Sequence, residues 1–260
     1  MAGYRICREK TAIRPFYIEC IATSIYTIEE LCFFFCEYLP LLDASIMSPA
    51  LIRWVDAELG ANKAAALMEK AYAGGNNFSE FIFPVFDCVG WLDQDEREEY
   101  KKRLEHFFSL PAYERLKMKG DALIRLGRYV AASVIYRQLI EEDRRMRYSR
   151  EFLSGVWHNK GVSEMKMMLY DEAVISFRKA EELHKTPLHT RAILLALGLS
   201  KPKAKYDEEV GKMNPDPEVL AEADNLLSFV RGNTVTITLP EDIDAYLKKK
   251  VEEYHTATGA

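Results

Sequence analysis

One string in this chain comes back without a gap. "GRYVAASVIY" at 127–136 returns as "MLYDEAVISF" at 168–177. Around it Leu116, Gly120, Leu123, Tyr129, Ala132 and Tyr136 recur 41 residues later as Trp157, Gly161, Glu164, Tyr170, Ala173 and Phe177. Glycine and alanine stand 12 apart in both copies. A helical hairpin accounts for that spacing. Two antiparallel helices joined by a tight turn approach closely only where side chains are small, so the pattern sets glycine on the first helix opposite alanine on the second. Leu116 or Trp157 and Tyr136 or Phe177 then fill the space on either side, and Tyr129 or Tyr170 plugs the closed end.

These residues resemble the tetratricopeptide repeat (TPR), whose pattern of W-x2-L-G-x2-Y, then A, F and P, spans 34 residues. "WHNKGVSEMKMMLYDEAVISFRKAEEL" matches it well and "LKMKGDALIRLGRYVAASVIYRQLIEE" fairly, so the resemblance covers about 113–187. Lys119 and Lys160 replace the family's leucine before the glycine, and no proline closes the first copy. The period exceeds the family's by about seven residues, nearly two helical turns, so helices lengthened by that much keep their buried faces in phase. The excess lies between Tyr136 and Trp157. It predicts a second helix of copy one and a first helix of copy two each about a turn longer than usual. A third copy should start near Pro187, where "PLHTRAILLALGLSKPKAKYDEEV" is helical by pattern but lacks glycine and alanine at the expected places. It reads as a degenerate or capping repeat.

The expected fold is therefore mainly α, a TPR-like α-solenoid of antiparallel hairpins. Residues 1–110 form an N-terminal helical region that can continue the same stack, 111–200 the repeats, and 201–260 a helix-strand-helix cap. Helix punctuation supports this outside the repeats. Thr27 with Glu30 has capping-box spacing, Ser48-Pro49 is a cap followed by proline, and Asp93 opens a segment that closes before Pro111. Glycines at 60, 74–75 and 90 end the segments between. "TVTITL" at 234–239 alternates like a strand and needs a partner edge; the N-terminal segment 4–7 or 16–20 is expected to supply it.

Composition narrows the function. With 35 basic and 40 acidic residues the net charge is -5, which gives no whole-chain case for nucleic acid or an anionic membrane. The most apolar window, 28–42, is too short to span a bilayer and carries Glu29, Glu30 and Glu37. The charged start of the chain is unlike a secretory signal, so the expected setting is cytoplasmic. Five cysteines contain no CxxC pair, and Cys32 and Cys36 read as core residues rather than metal ligands. Five histidines lack metal-ligand spacing, apart from His184 and His189, five apart across Pro187. Phosphate loops, dinucleotide glycines and nucleophile elbows are missing from the sequence, so no enzyme, cofactor or metal is expected. Over 111–150, ten Lys/Arg face five Asp/Glu, and the cluster Arg144, Arg145, Arg147 and Arg150 reads as solvated or paired with Glu141, Glu142 and Asp143.

The resemblance implies a concave face lined by the first helices, holding a protein or peptide segment. Position by position it assigns Glu114, Lys117, Met118, Asp121 and Arg125 from copy one and His158, Asn159, Val162, Met165 and Lys166 from copy two. Asn159 stands where family members that grip peptide backbones often carry asparagine, whose amide pairs with a carbonyl and an N–H. Lys117 matches a lysine of members that bind a terminal carboxylate, but Asp121, His189 and Ile193 break the rest of that clamp. A non-enzymatic adaptor or scaffold is the leading expectation. The alternatives are a peptide-sensing regulatory receptor, for which residues 1–110 offer no convincing DNA-reading motif, and a homo-oligomeric scaffold paired through 234–239.

Overall fold

The computed structural model describes residues 10–43, 45–75, 77–232 and 242–258, with side chains to residue 253. Thirteen α-helices and one two-stranded antiparallel sheet form among the described residues. Strand β1 (Phe16–Ile18) pairs with β2 (Thr23–Ile25), Phe16 opposite Ile25. So the partner of 16–18 is a local strand, as loop-closure entropy favours when a short link suffices. The expected strand 234–239 and the segment 4–7 lie outside the described residues.

Helix α1 (Ile28–Glu37) opens with the predicted capping box, Thr27 accepting from the Glu30 backbone N–H while Glu30 accepts from Thr27. Ser48 caps α2 (Pro49–Ala57), and α3 (Asn62–Ala73) and α4 (Phe78–Val89) follow, α4 stopping at the left-handed Gly90. A second capping box at Asp93 and Glu96 starts α5 (Gln94–Ser109). Between them lies an aromatic core in which Tyr100 meets Phe83 and Phe86 edge to face. The Tyr100 hydroxyl donates to the Phe35 carbonyl at 2.7 Å, so the phenol is buried with its polar end satisfied.

From residue 112 each helix returns alongside its predecessor: α6 (Ala112–Arg125), α7 (Tyr129–Met146), α8 (Arg150–Lys166), α9 (Tyr170–Leu183) and α10 (Pro187–Ser200) pack in succession. Helix α7 has 18 residues against 14 in α9, and α8 has 17 against 14 in α6. The extra length of the period thus sits in the two helices predicted to hold it.

The closest contact at each hairpin glycine is to a ring of the second helix. A methyl group placed on Gly120 would stand 2.8 Å from the Tyr136 ring, and one on Gly161 2.6 Å from Phe177. Each glycine clears a slot for a flat ring from the second helix, while Ala132 and Ala173 are fully buried. The third unit has no glycine at the position aligned with Gly161, and at its out-of-register Gly198 the side chain that fills the slot is Leu227 of α12 (Pro217–Gly232), not one from α11 (Lys203–Met213). Helix α11 is instead pinned through buried Tyr206, whose hydroxyl donates to Asp224 at 2.9 Å. The last helix, α13 (Ile243–Thr258), leaves Ile243, Tyr246, Leu247 and Val251 exposed.

The repeats are fastened to the N-terminal region. Tyr38, Cys20 and Ile21 pack against both the N-terminal core and the α6–α7–α8 core. Lys119 pairs with Asp43 at 2.6 Å, and Arg128 donates to the Ile21 carbonyl at 2.7 Å. The Cys20 thiol is pushed up by its burial, partly offset by nearby Lys119.

Candidate functional site

Close approach at Gly120 brings the Tyr136 hydroxyl of α7 over α6, where it donates to Asp121 at 2.6 Å. Asn159 of α8 donates to the same carboxylate oxygen at 2.7 Å, and Lys117 reaches the other at 2.8 Å. Three helices therefore converge on Asp121. Burial, reinforced by hydrogen bonding to that carboxylate, raises the Tyr136 phenol and keeps it protonated. The arrangement gives Lys117 and Asn159 partners within the chain. The lysine ammonium and the asparagine N–H2 are engaged inside the fold, both on the Asp121 carboxylate.

Next to Asn159 in α8, His158 meets the rings of Phe177 and His189, with centroids at 5.2 and 5.0 Å. Its Nδ1 is buried without a hydrogen-bond partner among the described residues. Burial first, then His189 and Lys117, lowers its pKa to about 4. The imidazole is therefore neutral at physiological pH. Nδ1 of His189 lies 2.7 Å from the His184 carbonyl, so the two histidines across Pro187 form a local clasp at the start of α10.

The predicted groove residues thus divide. Lys117, Asp121, His158 and Asn159 come together on the α6–α8 seam. Val162 and Met165 pack half-buried against the α9–α10 core, and Glu114 is half-buried while Lys166 is exposed. Met118 and Arg125 face elsewhere: they line a cleft of about 760 Å³ between α6, α5, α1 and the 3-10 turn Leu39–Leu41. Phe33, Tyr38 and Pro40 form one wall, and Arg103 and His106 of α5 stand on another.

Reading the sequence position by position missed this N-terminal half of the cleft, though a signal was present. Phe33, Phe34 and Phe35 are consecutive, and successive helical positions point about 100° apart. They cannot all enter one core. Phe34 and Phe35 are buried while Phe33 is 50% exposed, its ring against Tyr38.

The arginine run has a structural use at one member. Arg150 donates to the carbonyls of Leu183 and Glu182 at the carboxyl end of α9, where a cation suits the helix dipole. Glu142 and Asp143 bind Tyr148, not the expected arginines. Arg144, Arg145 and Arg147 are exposed. Among the described residues no group of three or more His, Cys, Asp or Glu is placed to hold a metal ion, and no helix is long and apolar enough to cross a membrane. Compared with known proteins, the chain matches no family model, no curated protein and no solved structure.

Proposed function

We propose that the chain is a non-enzymatic adaptor of TPR-like helical hairpins, set in the cytoplasm, that docks a protein or peptide segment along α6. The observation that carries this reading is the apolar cleft at the first hairpin, which two residues of the groove implied by the repeat, Met118 and Arg125, line together with exposed Phe33 and half-buried Tyr38. Concave, largely apolar sites with a few convergent polar groups are where ligands bind. Neighbouring helices that pack consecutively through glycine slots supply the rigid frame. The test is photocrosslinking in native cells from a reactive residue at Met118, with one at exposed Arg145 as control, followed by mass spectrometry. A partner captured from 118 alone, and lost when Arg125→Glu is added, supports the reading; identical captures from both positions oppose it.

The exposed apolar stripe of α13 favours a second reading, a homo-oligomer assembled through that helix. Light scattering on wild type and on a Leu247→Lys, Val251→Lys variant separates the two, since only an α13 interface makes the variant smaller.

A further inference from the structure

The charges around the cleft are one-sided. Arg103 of α5 and Arg125 of α6 stand on two different walls, with His106 beside the first, and the single lining carboxylate is Glu37. Neither guanidinium has a carboxylate within ion-pair distance among the described residues. Nearby cations are already committed: Lys117 to Asp121, Lys119 to Asp43 and Arg97 to Asp87. Between the two arginines the floor is apolar, made by Leu39, Phe107, Ala122 and Met118. Of these only Met118 is exposed to any large degree.

Resting on the docking reading above, we propose that the cleft binds an acidic amphipathic peptide segment, its aromatic or long aliphatic side chain on the floor and carboxylates on both flanks. The two-walled placement of the cations selects this occupant. A single-headed amphiphile such as a fatty acid brings one anionic group and satisfies one wall, whereas a helix with acidic residues on either side of an apolar stripe satisfies both. A basic segment would meet two unpaired guanidiniums and be repelled. The Glu37 carboxylate opposes the ligand and holds affinity below what the cleft could reach.

The experiment uses the full chain and a fluorescein-labelled helical peptide of about fifteen residues, with leucine and phenylalanine at i, i+3, i+4 and i+7 and glutamate between them. Binding is followed by anisotropy against a lysine-for-glutamate version, with dodecanoate as competitor. The glutamate peptide is expected to bind and the lysine peptide to fail. Arg103→Glu with Arg125→Glu, both exposed positions, should weaken binding about tenfold or more, and extra salt should weaken wild-type binding. Glu37→Gln should tighten it about two- to fivefold, a gain that misfolding cannot mimic.

Binding of both peptides alike, abolished by Met118→Asp, would leave the docking reading standing and remove the acidic partner. Binding untouched by the arginine pair and by Met118→Asp would remove the cleft as the dock. No binding of the glutamate peptide, or its displacement by dodecanoate at equal or lower concentration, would also overturn the proposal.

Discussion

The hairpins α6–α7 and α8–α9 use one packing device in two surroundings. In each, a glycine on the first helix admits a ring from the second, Tyr136 at Gly120 and Phe177 at Gly161. Equivalent positions then diverge. Lys119 reaches out to Asp43 of the N-terminal region, whereas Lys160 turns inward to Glu164, with Ser176 bridging both. The position of buried Leu123 is occupied by Glu164, itself only 5% exposed. The repeat constrains how backbones approach, and what a repeated position does is decided by the neighbours it meets. The first hairpin has an N-terminal layer to lean on; the second carries a buried charged network in its own seam.

That difference is broken most severely by Glu164→Leu, which gives the second hairpin the first one's residue. The Lys160 ammonium, 16% exposed, would keep only the Ser176 hydroxyl and the face of the Trp157 ring, and a buried charge without its counter-ion costs about 3 kcal/mol. Adding Lys160→Met removes the orphan and should recover most of the loss, because apolar replacement of a buried pair is often neutral. Urea unfolding of the single and double variants measures both steps. A single variant as stable as wild type would mean that Lys160 escapes to solvent.

The shared device is tested by a methyl group. Gly120→Ala and Gly161→Ala each gain about 1 kcal/mol of helix propensity but force a contact that real side chains essentially never show, overpacking at about 1–3 kcal/mol. Both rings are buried and cannot swing away. Net losses of up to about 2 kcal/mol are expected, larger at Gly161 where the ring is nearer. Gly155→Ala, whose new methyl meets only the flexible Lys117 chain at 3.5 Å, should be stabilising. Thermal melts of the three variants decide it; stabilisation at 120 or 161 would refute the slot.

Acid separates the hairpins more gently. The second has His158 where the first has Lys117. Held down to about 4, His158 refuses the proton that an unfolded histidine accepts below about 6.5, so its contribution is full above 6.5 and drains away as pH falls toward 4. His189 and Lys117, facing it from α10 and α6, oppose the charge. Discounted for its partial exposure, the loss is about 1–2 kcal/mol. His158→Phe should flatten the fall in melting temperature between pH 7 and pH 4.5, and an unchanged slope would assign the acid sensitivity elsewhere.

Local rules made much of the helix pattern legible. Thr27 with Glu30, Asp93 with Glu96 and the stop at Gly90 carry their geometry in the residue types, and the lengths of α7 and α8 follow from the repeat period. The partners of individual side chains were not legible. Spacing placed Lys117, Asp121 and Asn159 on first helices, but their mutual hydrogen bonds depend on how α6 and α8 lie together, which no local pattern records. The cleft was hidden for the same reason. Phe33 and Arg125 are 92 residues apart, and only tertiary packing sets both on one hollow.

The mildest contrast lies in the turns. Gly127 closes the first hairpin at φ 71°, and the aligned Met168 closes the second at φ 62°. A left-handed backbone is open to glycine and costs a side-chain-bearing residue about 1–2 kcal/mol through its Cβ. Met168 is 75% exposed, so its side chain recovers little of that by burial. Met168→Gly should therefore stabilise the protein, by about 0.5–1 kcal/mol once glycine's extra freedom in the unfolded chain is subtracted, a rise of about 1–3 °C in Tm for a chain of this size. Gly127→Met should cost about as much in the opposite direction. The pair of melts compares the turns directly: equal and opposite shifts mean that both are held by the same backbone requirement. A loss at Met168→Gly would show that the exposed thioether holds a contact the first hairpin lacks.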